Sequence, residues 1–432
     1  MNEIFEGNLA VVGQRWPALA ELLAAQDIAA VPADLREGQE STLAVKGIQL
    51  SSRHDRAGEA AMQAASVAAD TPVIYLYGPG LGELPVCFLQ RPSLQRLVVR
   101  LLNETVFALI LHLIDQRAWL ADPRVELALA GDDGEIGHPC FALPPELVLA
   151  SDANAKMRDR LVADLMVSFV NRRFLDDDGH IAHLRTRFAS NRPLLENDHD
   201  VGELFASRPG SEVWVIATGP TLARHYETLR AARARPQMPF LIAVDTALVP
   251  LLNQGIRPDL VVSADHLTSM RTLPPEQSTG LPLVYFPMLD TLVLAAWQGP
   301  RYAAYSASPL YDTLRQEIPK AALYAGGSVL HIAVDLAVRM GARQIVLFGA
   351  DFAFVDDRAH AGWESGILAP EHVTAEWVLN GYGQRVTTLL NLRAYLCTLE
   401  RYIAAHPAVR FLNASRAGAV IAGADYHPEL VQ

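Results

Sequence analysis

Cysteine is scarce. Cys87, Cys140 and Cys397 are too few and too scattered over 432 residues for a disulfide framework or a zinc spacing, and they fit a reducing compartment. No run of basic residues stands out. With 36 Lys+Arg against 48 Asp+Glu the formal net charge is −12, so nothing marks a nucleic-acid backbone as a partner. Long apolar runs are missing too. The most apolar stretch, Leu97 to Ile114, is interrupted by Arg100, Asn103, Glu104 and His112 and does not suit a membrane span. Glu3 and Glu6 stand where a signal peptide needs basic residues. The expectation is a soluble, cytoplasmic protein with no membrane insertion. A nucleophilic serine elbow, a Walker loop, a zinc-binding HExxH helix and an Asp-x-Asp clamp at a predicted strand end are also absent. The run Asp176 to Asp178 before Gly179 reads as a solvated turn, so no metal site is expected.

What is present is a chain that can fold: half the residues are apolar and 19% are charged. Its length exceeds what one core usually serves and predicts two or three domains. Residues 1–70 read as a lead-in. Over 71–150 the pattern is strand, glycine turn, helix, beginning PVIYLYGPGLG, and predicts a Rossmann-like N-terminal domain. Residues 151–206 are charge-rich with apolar positions at helical spacing, and read as a helical linker. The break SRPGSE (207–212) opens a central domain over 207–365. Residues 366–432 read as a C-terminal helical region with a final strand, where Trp377, Tyr382, Leu390, Tyr395 and Leu399 are expected in the core.

The central domain is the more informative. VWVIATG (213–219), FLIAVD (240–245), LVVSAD (260–265) and QIVLFGAD (344–351) are β-rich, unalternated apolar runs, as buried parallel strands are. The fold class is therefore α/β, with a doubly wound parallel sheet in the centre. Three of these runs end in Asp245, Asp265 and Asp351, where open parallel sheets place their ligand crevice. One such aspartate commonly caps a turn; three together point to a cleft. The fourth run leads through Thr218, Gly219, Pro220 and Thr221 into a helical segment. A second loop, Gly326-Gly327-Ser328, precedes another helix. Either loop offers backbone N–H groups to a phosphate, and either serves equally well as tight packing with an N-cap. The Gly78-Pro79-Gly80-Leu81-Gly82 turn imitates a dinucleotide fingerprint, but its prolines remove N–H donors and favour a structural turn. In the polar loop after Asp351, His360 is the candidate general base, with Asp351 or Asp356 to orient it. His331 reads as a core histidine and His225 as a surface one, while His266 is open to either use.

The stretches IATGPTL (216–222), IAVDTALVPLLNQGIRPDLVVSADH (242–266), GGSVLHIAVDLAVRMGARQIVLFGADFAF (326–354) with His360, and LNASRAGAVIAG (412–423) together resemble the motility accessory factor proteins, which are bacterial flagellin glycosyltransferases. SSRHDRAGEA (51–60) and VIYLYGPGLG (73–82) match that family's first domain, so the resemblance spans most of the chain. The family's central domain is similar in turn to bacterial sialyltransferases and to enzymes that diphosphorylate 6-hydroxymethyl-dihydropterin. The resemblance implies transfer of a nonulosonic acid, pseudaminic- or legionaminic-like, from its CMP-activated form to Ser or Thr of flagellin. It implies nucleotide-sugar contacts from Gly219, Pro220, Thr221, Asp245, Asp265, Gly327 and Ser328, to which Thr218 and Gly326 belong as members of the same two loops, and it puts His360 near the sialyltransferase base; the pairing of His360 with Asp351 as catalytic residues is the expectation from the residues themselves. No cofactor is required for that chemistry. A diphosphokinase would instead use ATP and Mg²⁺, and a flagellin-binding accessory protein would need neither.

Overall fold

The computed structural model describes residues 2–175, 178–363 and 374–432, which leaves Asp176 and Asp177 of the acidic run outside the described residues. The chain divides into two compact units, Met1–Asp164 and Leu165–Gln432.

In the first unit a small antiparallel sheet of β1 (Ala33–Arg36), β2 (Thr42–Val45) and β3 (Ile48–Gln49) precedes a four-stranded parallel sheet. That sheet comprises β4 (Val73–Tyr77), β5 (Arg96–Leu101), β6 (Val125–Leu129) and β7 (Cys140–Ala142) in the order β6-β5-β4-β7. The apolar stretch from Leu97 resolves into β5 and the helix Glu104–Leu113, whose first turn is capped by the Asn103 side chain accepting from the Val106 N–H. Arg100 is tolerated inside it because Asp133 (2.6 Å) and Glu126 (2.9 Å) pair with its guanidinium. Among the described residues no helix is long and apolar enough to cross a membrane.

The second unit is built on a nine-stranded sheet whose neighbours all run parallel. Its strands are β8 (His199–Asp200), β9 (Glu212–Ile216), β10 (Phe240–Val244), β11 (Leu260–Ser263), β12 (Leu283–Tyr285), β13 (Arg301–Ala303), β14 (Gln344–Phe348), and, after the hairpin β15 (Trp377–Leu379) and β16 (Arg385–Thr387), β17 (Arg410–Asn413) and β18 (Ala424–Tyr426). The order is β18-β17-β14-β9-β10-β11-β12-β13-β8. The four expected runs form β9, β10, β11 and β14 at its centre. They lack polar alternation because both faces are covered: Val213, Val215, Ile242, Val261 and Ile345 are fully or almost fully buried, and the helix Val329–Arg339 lies over β9, β10 and β11. Progression is outward from β9 through β10 and β11 on one side, whereas β14 lies on the other. The strand order reverses between β9 and β14.

The C-terminal region departs from the expected helix. Its helix starts only at Leu390, and the residues before it make the β15–β16 hairpin. The hairpin turn is set by Asn380, whose side-chain oxygen accepts from the N–H groups of Tyr382 and Gln384, and by Gly383 at φ +73°. Tyr382, expected in the core, is therefore 56% exposed at the turn, while Leu399 is buried.

One polar network ties the start of this unit to its far edge. Asp198 accepts from Arg301 through Nε (2.8 Å) and Nη2 (2.7 Å), and from the Tyr285 hydroxyl (2.8 Å). This anchors the end of the helix Asp178–Asn197 to β12 and β13. Removing the carboxylate strands a largely buried guanidinium, so Asp198→Ala is expected to cost on the order of 3 kcal/mol in urea unfolding. Asp198→Ala/Arg301→Leu should recover part of that loss, and a single-variant loss below about 1 kcal/mol would show that the network is dispensable.

Candidate functional site

A reversal of strand order places a crevice outside the carboxyl ends of β9 and β14. What meets there is settled by burial and hydrogen bonds. After β9 the chain turns at Gly219 into a 3-10 turn, Pro220–His225, before the helix Tyr226–Arg233. After β14 it turns at Gly349 (φ +62°) and brings in Asp351. The Asp351 carboxylate is buried against this loop: Oδ2 accepts from the Thr221 N–H at 2.8 Å and Oδ1 from the Thr221 hydroxyl at 2.6 Å. A Cβ on Gly219 would collide with Asp351, and one on Gly418 would lie 2.7 Å from Oδ1. Glycine on both sides is what lets the carboxylate fit. The Asp351 carbonyl also accepts from the Ala419 N–H at 2.8 Å.

Asp245 and Asp265 are strand-end neighbours with different environments. Asp245 opens the helix Asp245–Asn253, is buried, and accepts from Ser263 Oγ (2.6 Å), Thr268 Oγ1 (2.9 Å) and the Thr246 N–H (2.8 Å). Burial pushes its carboxyl above the usual range, opposed by these donors. It ties β10 to the loop after β11. Asp265 is exposed at the rim, accepts from the Leu267 N–H, and lies 3.4 Å from His266 Nδ1. Thr246, Ser263 and Thr268 were not legible as site residues. Their only signal is that they sit within two or three residues of strand-end aspartates.

The segment after Asp351 folds back over the crevice. Phe352, Asp356 and Asp357 take positive φ (48°, 55° and 57°), and Asp356 is drawn outward to Arg224 at 2.8 Å. The Ala361 N–H then donates to the Thr218 carbonyl at 2.8 Å, and Trp363 Nε1 to the Thr246 carbonyl at 2.9 Å. Thr218 and Thr246 share a hydroxyl contact of 2.5 Å. His360, half-buried, is thereby pinned beside the Gly219 loop although about 140 residues separate the two in sequence. Arg271 caps this corner, its guanidinium 5.1 Å from the Trp363 ring centre.

The second loop is a capped helix start. Ser328 Oγ accepts from the Leu330 N–H, and the Ser328 N–H donates to His331 Nδ1. His331 is buried, with Nε2 3.0 Å from the Tyr395 carbonyl, as expected of a core histidine; desolvation lowers it to about 4. Gly327 (φ +96°) packs where a side chain would strike Tyr395. His225 corrects its expected surface position: it is fully buried, edge-on to Phe348, with neither ring nitrogen hydrogen-bonded, and burial lowers it to about 4.

In the first unit the fingerprint-like turn is filled from within. Gly78, Gly80 and Gly82 all take positive φ, and the Gly80 N–H donates to the buried Glu146 carboxylate at 2.6 Å. An incoming phosphate would meet that carboxylate. Among the described residues no three His, Cys, Asp or Glu side chains are grouped to hold a metal ion.

Residues 186–357 match the family model described as 6-hydroxymethylpterin diphosphokinase MptE-like. That segment carries the Gly219 loop, Asp245, Asp265, the Gly327 loop and Asp351, so the central region is similar to the diphosphokinase-like proteins, as the resemblance implies; His360 lies just beyond it. No curated protein sequence matches the chain. Among solved structures, a MAf glycosyltransferase from Magnetospirillum magneticum AMB-1 is similar at 16% identity and a TM-score of 0.45, over 99% of this chain and 75% of that one.

Burial raises the Asp351 carboxyl to about 6, against the pull of the two Thr221 donors. The folded state therefore holds this proton more tightly than the unfolded chain does. The resulting stabilisation is full below about pH 4 and is lost as pH rises through about 6, an effect of no more than about 3 kcal/mol. Asp351→Asn keeps an acceptor for the Thr221 N–H and a donor for its hydroxyl. Its melting temperature should gain on wild type between pH 4 and pH 7, and parallel curves would place the titration elsewhere.

Proposed function

We propose that the chain is a glycosyltransferase that moves a nonulosonic acid, pseudaminic- or legionaminic-like, from its CMP-activated donor to Ser or Thr hydroxyls of flagellin in the cytoplasm. The observation that supports the reading is the tie from the Ala361 N–H to the Thr218 carbonyl, which holds the residue next to His360 against the loop after β9. The motif-level resemblance to the motility accessory factor proteins supplies the donor and acceptor classes.

The chemistry follows from those positions. The acceptor hydroxyl oxygen attacks the anomeric carbon of the acidic sugar, the bond from that carbon to the phosphate oxygen breaks, and CMP leaves with the bonding electrons. The hydroxyl proton passes to the His360 imidazole as general base. The breaking bond runs ahead of the forming one, so the sugar passes through an oxocarbenium-like state while charge grows on the departing phosphate. The Thr221 amide and hydroxyl are spent on Asp351. Backbone donors for the phosphate therefore come from Gly326 and Gly327 at the start of the helix Val329–Arg339. Thr218, Gly219 and Pro220 wall the nucleotide, Asp265 offers an exposed acceptor to its hydroxyls, and Asp245 holds that edge in shape. Asp351 acts through Thr221, fixing the Gly219 loop. No cofactor enters these steps.

A second reading is favoured by the family-model match: a pterin diphosphokinase that takes ATP with Mg²⁺ as its substrate. Thermal stabilisation separates the two, since a ligand that binds only the folded state raises the melting temperature. A rise with CMP that survives EDTA is expected; a rise with ATP that needs Mg²⁺, and none with CMP, would favour the diphosphokinase. His360→Ala should keep the CMP shift and lose transfer by roughly 10²–10⁴-fold, as loss of a positioned base does. Transfer at the wild-type rate would remove His360 from the reaction.

A further inference from the structure

The donor in the glycosyl-transfer reading carries two anionic groups, its phosphate and a carboxylate on the anomeric carbon of the acidic sugar. The phosphate has backbone amides to meet it. A carboxylate entering among the strand-end acids Asp245, Asp265 and Asp351 meets like charge unless a cation faces it. Two arginines near these strand ends are committed elsewhere. Arg224, in the turn after β9, pairs with Asp356 at 2.8 Å, and Arg187 is turned to backbone, donating to the His266 carbonyl (2.8 Å) and the Met288 carbonyl (3.1 Å).

Arg271 is placed differently. It is exposed on the loop after β11, the loop that carries Asp265, and its guanidinium lies 5.1 Å from the centre of the Trp363 ring. That ring is itself fixed. Trp363 is buried, its indole N–H donates to the Thr246 carbonyl at 2.9 Å, and the Thr246 hydroxyl meets that of Thr218 at 2.5 Å. The contacts thus run from the loop after β11, across the segment that follows β14, to the carboxyl ends of β10 and β9. Stacking engages the flat face of a guanidinium and leaves hydrogen bonding to the in-plane fork, which is the part that matches a carboxylate. The ring therefore orients Arg271 without drawing on those N–H groups.

We propose that Arg271, stacked on Trp363, receives the carboxylate of the acidic sugar and so selects nonulosonic donors over neutral ones. The proposal rests on the glycosyl-transfer reading, but it is tested by binding alone. CMP, CMP-pseudaminic acid, CMP-legionaminic acid and the methyl esters of both donors are titrated into the full chain without flagellin, as wild type, Arg271→Lys and Arg271→Met. Arg271→Met should weaken the better-bound donor roughly tenfold or more, as loss of a charge-assisted pair does, while CMP and the uncharged ester bind as in wild type. Arg271→Lys keeps the charge without the fork and should fall between the two. Melting temperatures without ligand should match wild type, because the side chain is exposed. Donor affinity in Arg271→Met within about twofold of wild type would overturn the assignment, as would a wild type that binds a donor no more tightly than its ester. An equal loss for CMP would also overturn it, by giving the guanidinium to the phosphate. In each of these cases CMP binding by the wild type leaves glycosyl transfer standing; a wild type that binds neither CMP nor donor sinks both.

Discussion

The second unit's crevice depends on one buried carboxylate. Asp351 comes from β14 and Thr221 from the loop after β9, and their paired hydrogen bonds join the two strand ends where the sheet order reverses. At such a point two loops diverge and leave a cleft. Here the divergence is bridged below the surface, so the Gly219 loop is held before any ligand arrives. The same bonds occupy the amide that a glycine loop would ordinarily offer to a phosphate. Preorganisation thus falls to Thr221, and in the proposed reading the phosphate is left to the amides of Gly326 and Gly327.

Burial of that carboxylate is costly, and the surrounding chain is shaped to meet the cost. Gly219 and Gly418 give it room, two Thr221 donors satisfy it, and the Asp351 carbonyl is tied to Ala419. Asp245 is treated alike, with Ser263, Thr268 and Thr246 around it. A buried acid with full hydrogen bonding rigidifies its neighbours, because any rearrangement must expose or orphan it. The rim groups Asp265, His266 and His360 are only partly covered, in contrast to the two internal aspartates.

Much of this fold was legible because its determinants are local. Unalternated β-rich runs identify β9, β10, β11 and β14, and the spacing between them implies parallel crossovers. The hairpin at 377–387 was misread as helix, since Asn380 and Gly383 act through turn geometry that an apolar count does not register. The strand-end aspartates were visible, but not that Asp245 and Asp351 would be internal and Asp265 exposed; that distinction comes from partners such as Ser263 and Thr221, far apart in sequence. His225 shows the same limit in reverse, for a histidine amid polar neighbours is buried against Phe348 by the packing of the 3-10 turn.

The central sheet carries a further implication through its far edge. β17 and β18 complete it from residues after 410, and Gly418 and Ala419 close around Asp351. During synthesis the Gly219 loop leaves the ribosome about 200 residues before the segment that finishes its support. Until then the Asp351 carboxylate lacks its last wall, and β14 presents an unpaired edge to the solvent. A chain lacking β17 and β18 would therefore expose the β14 edge and leave the crevice without its Gly418 wall.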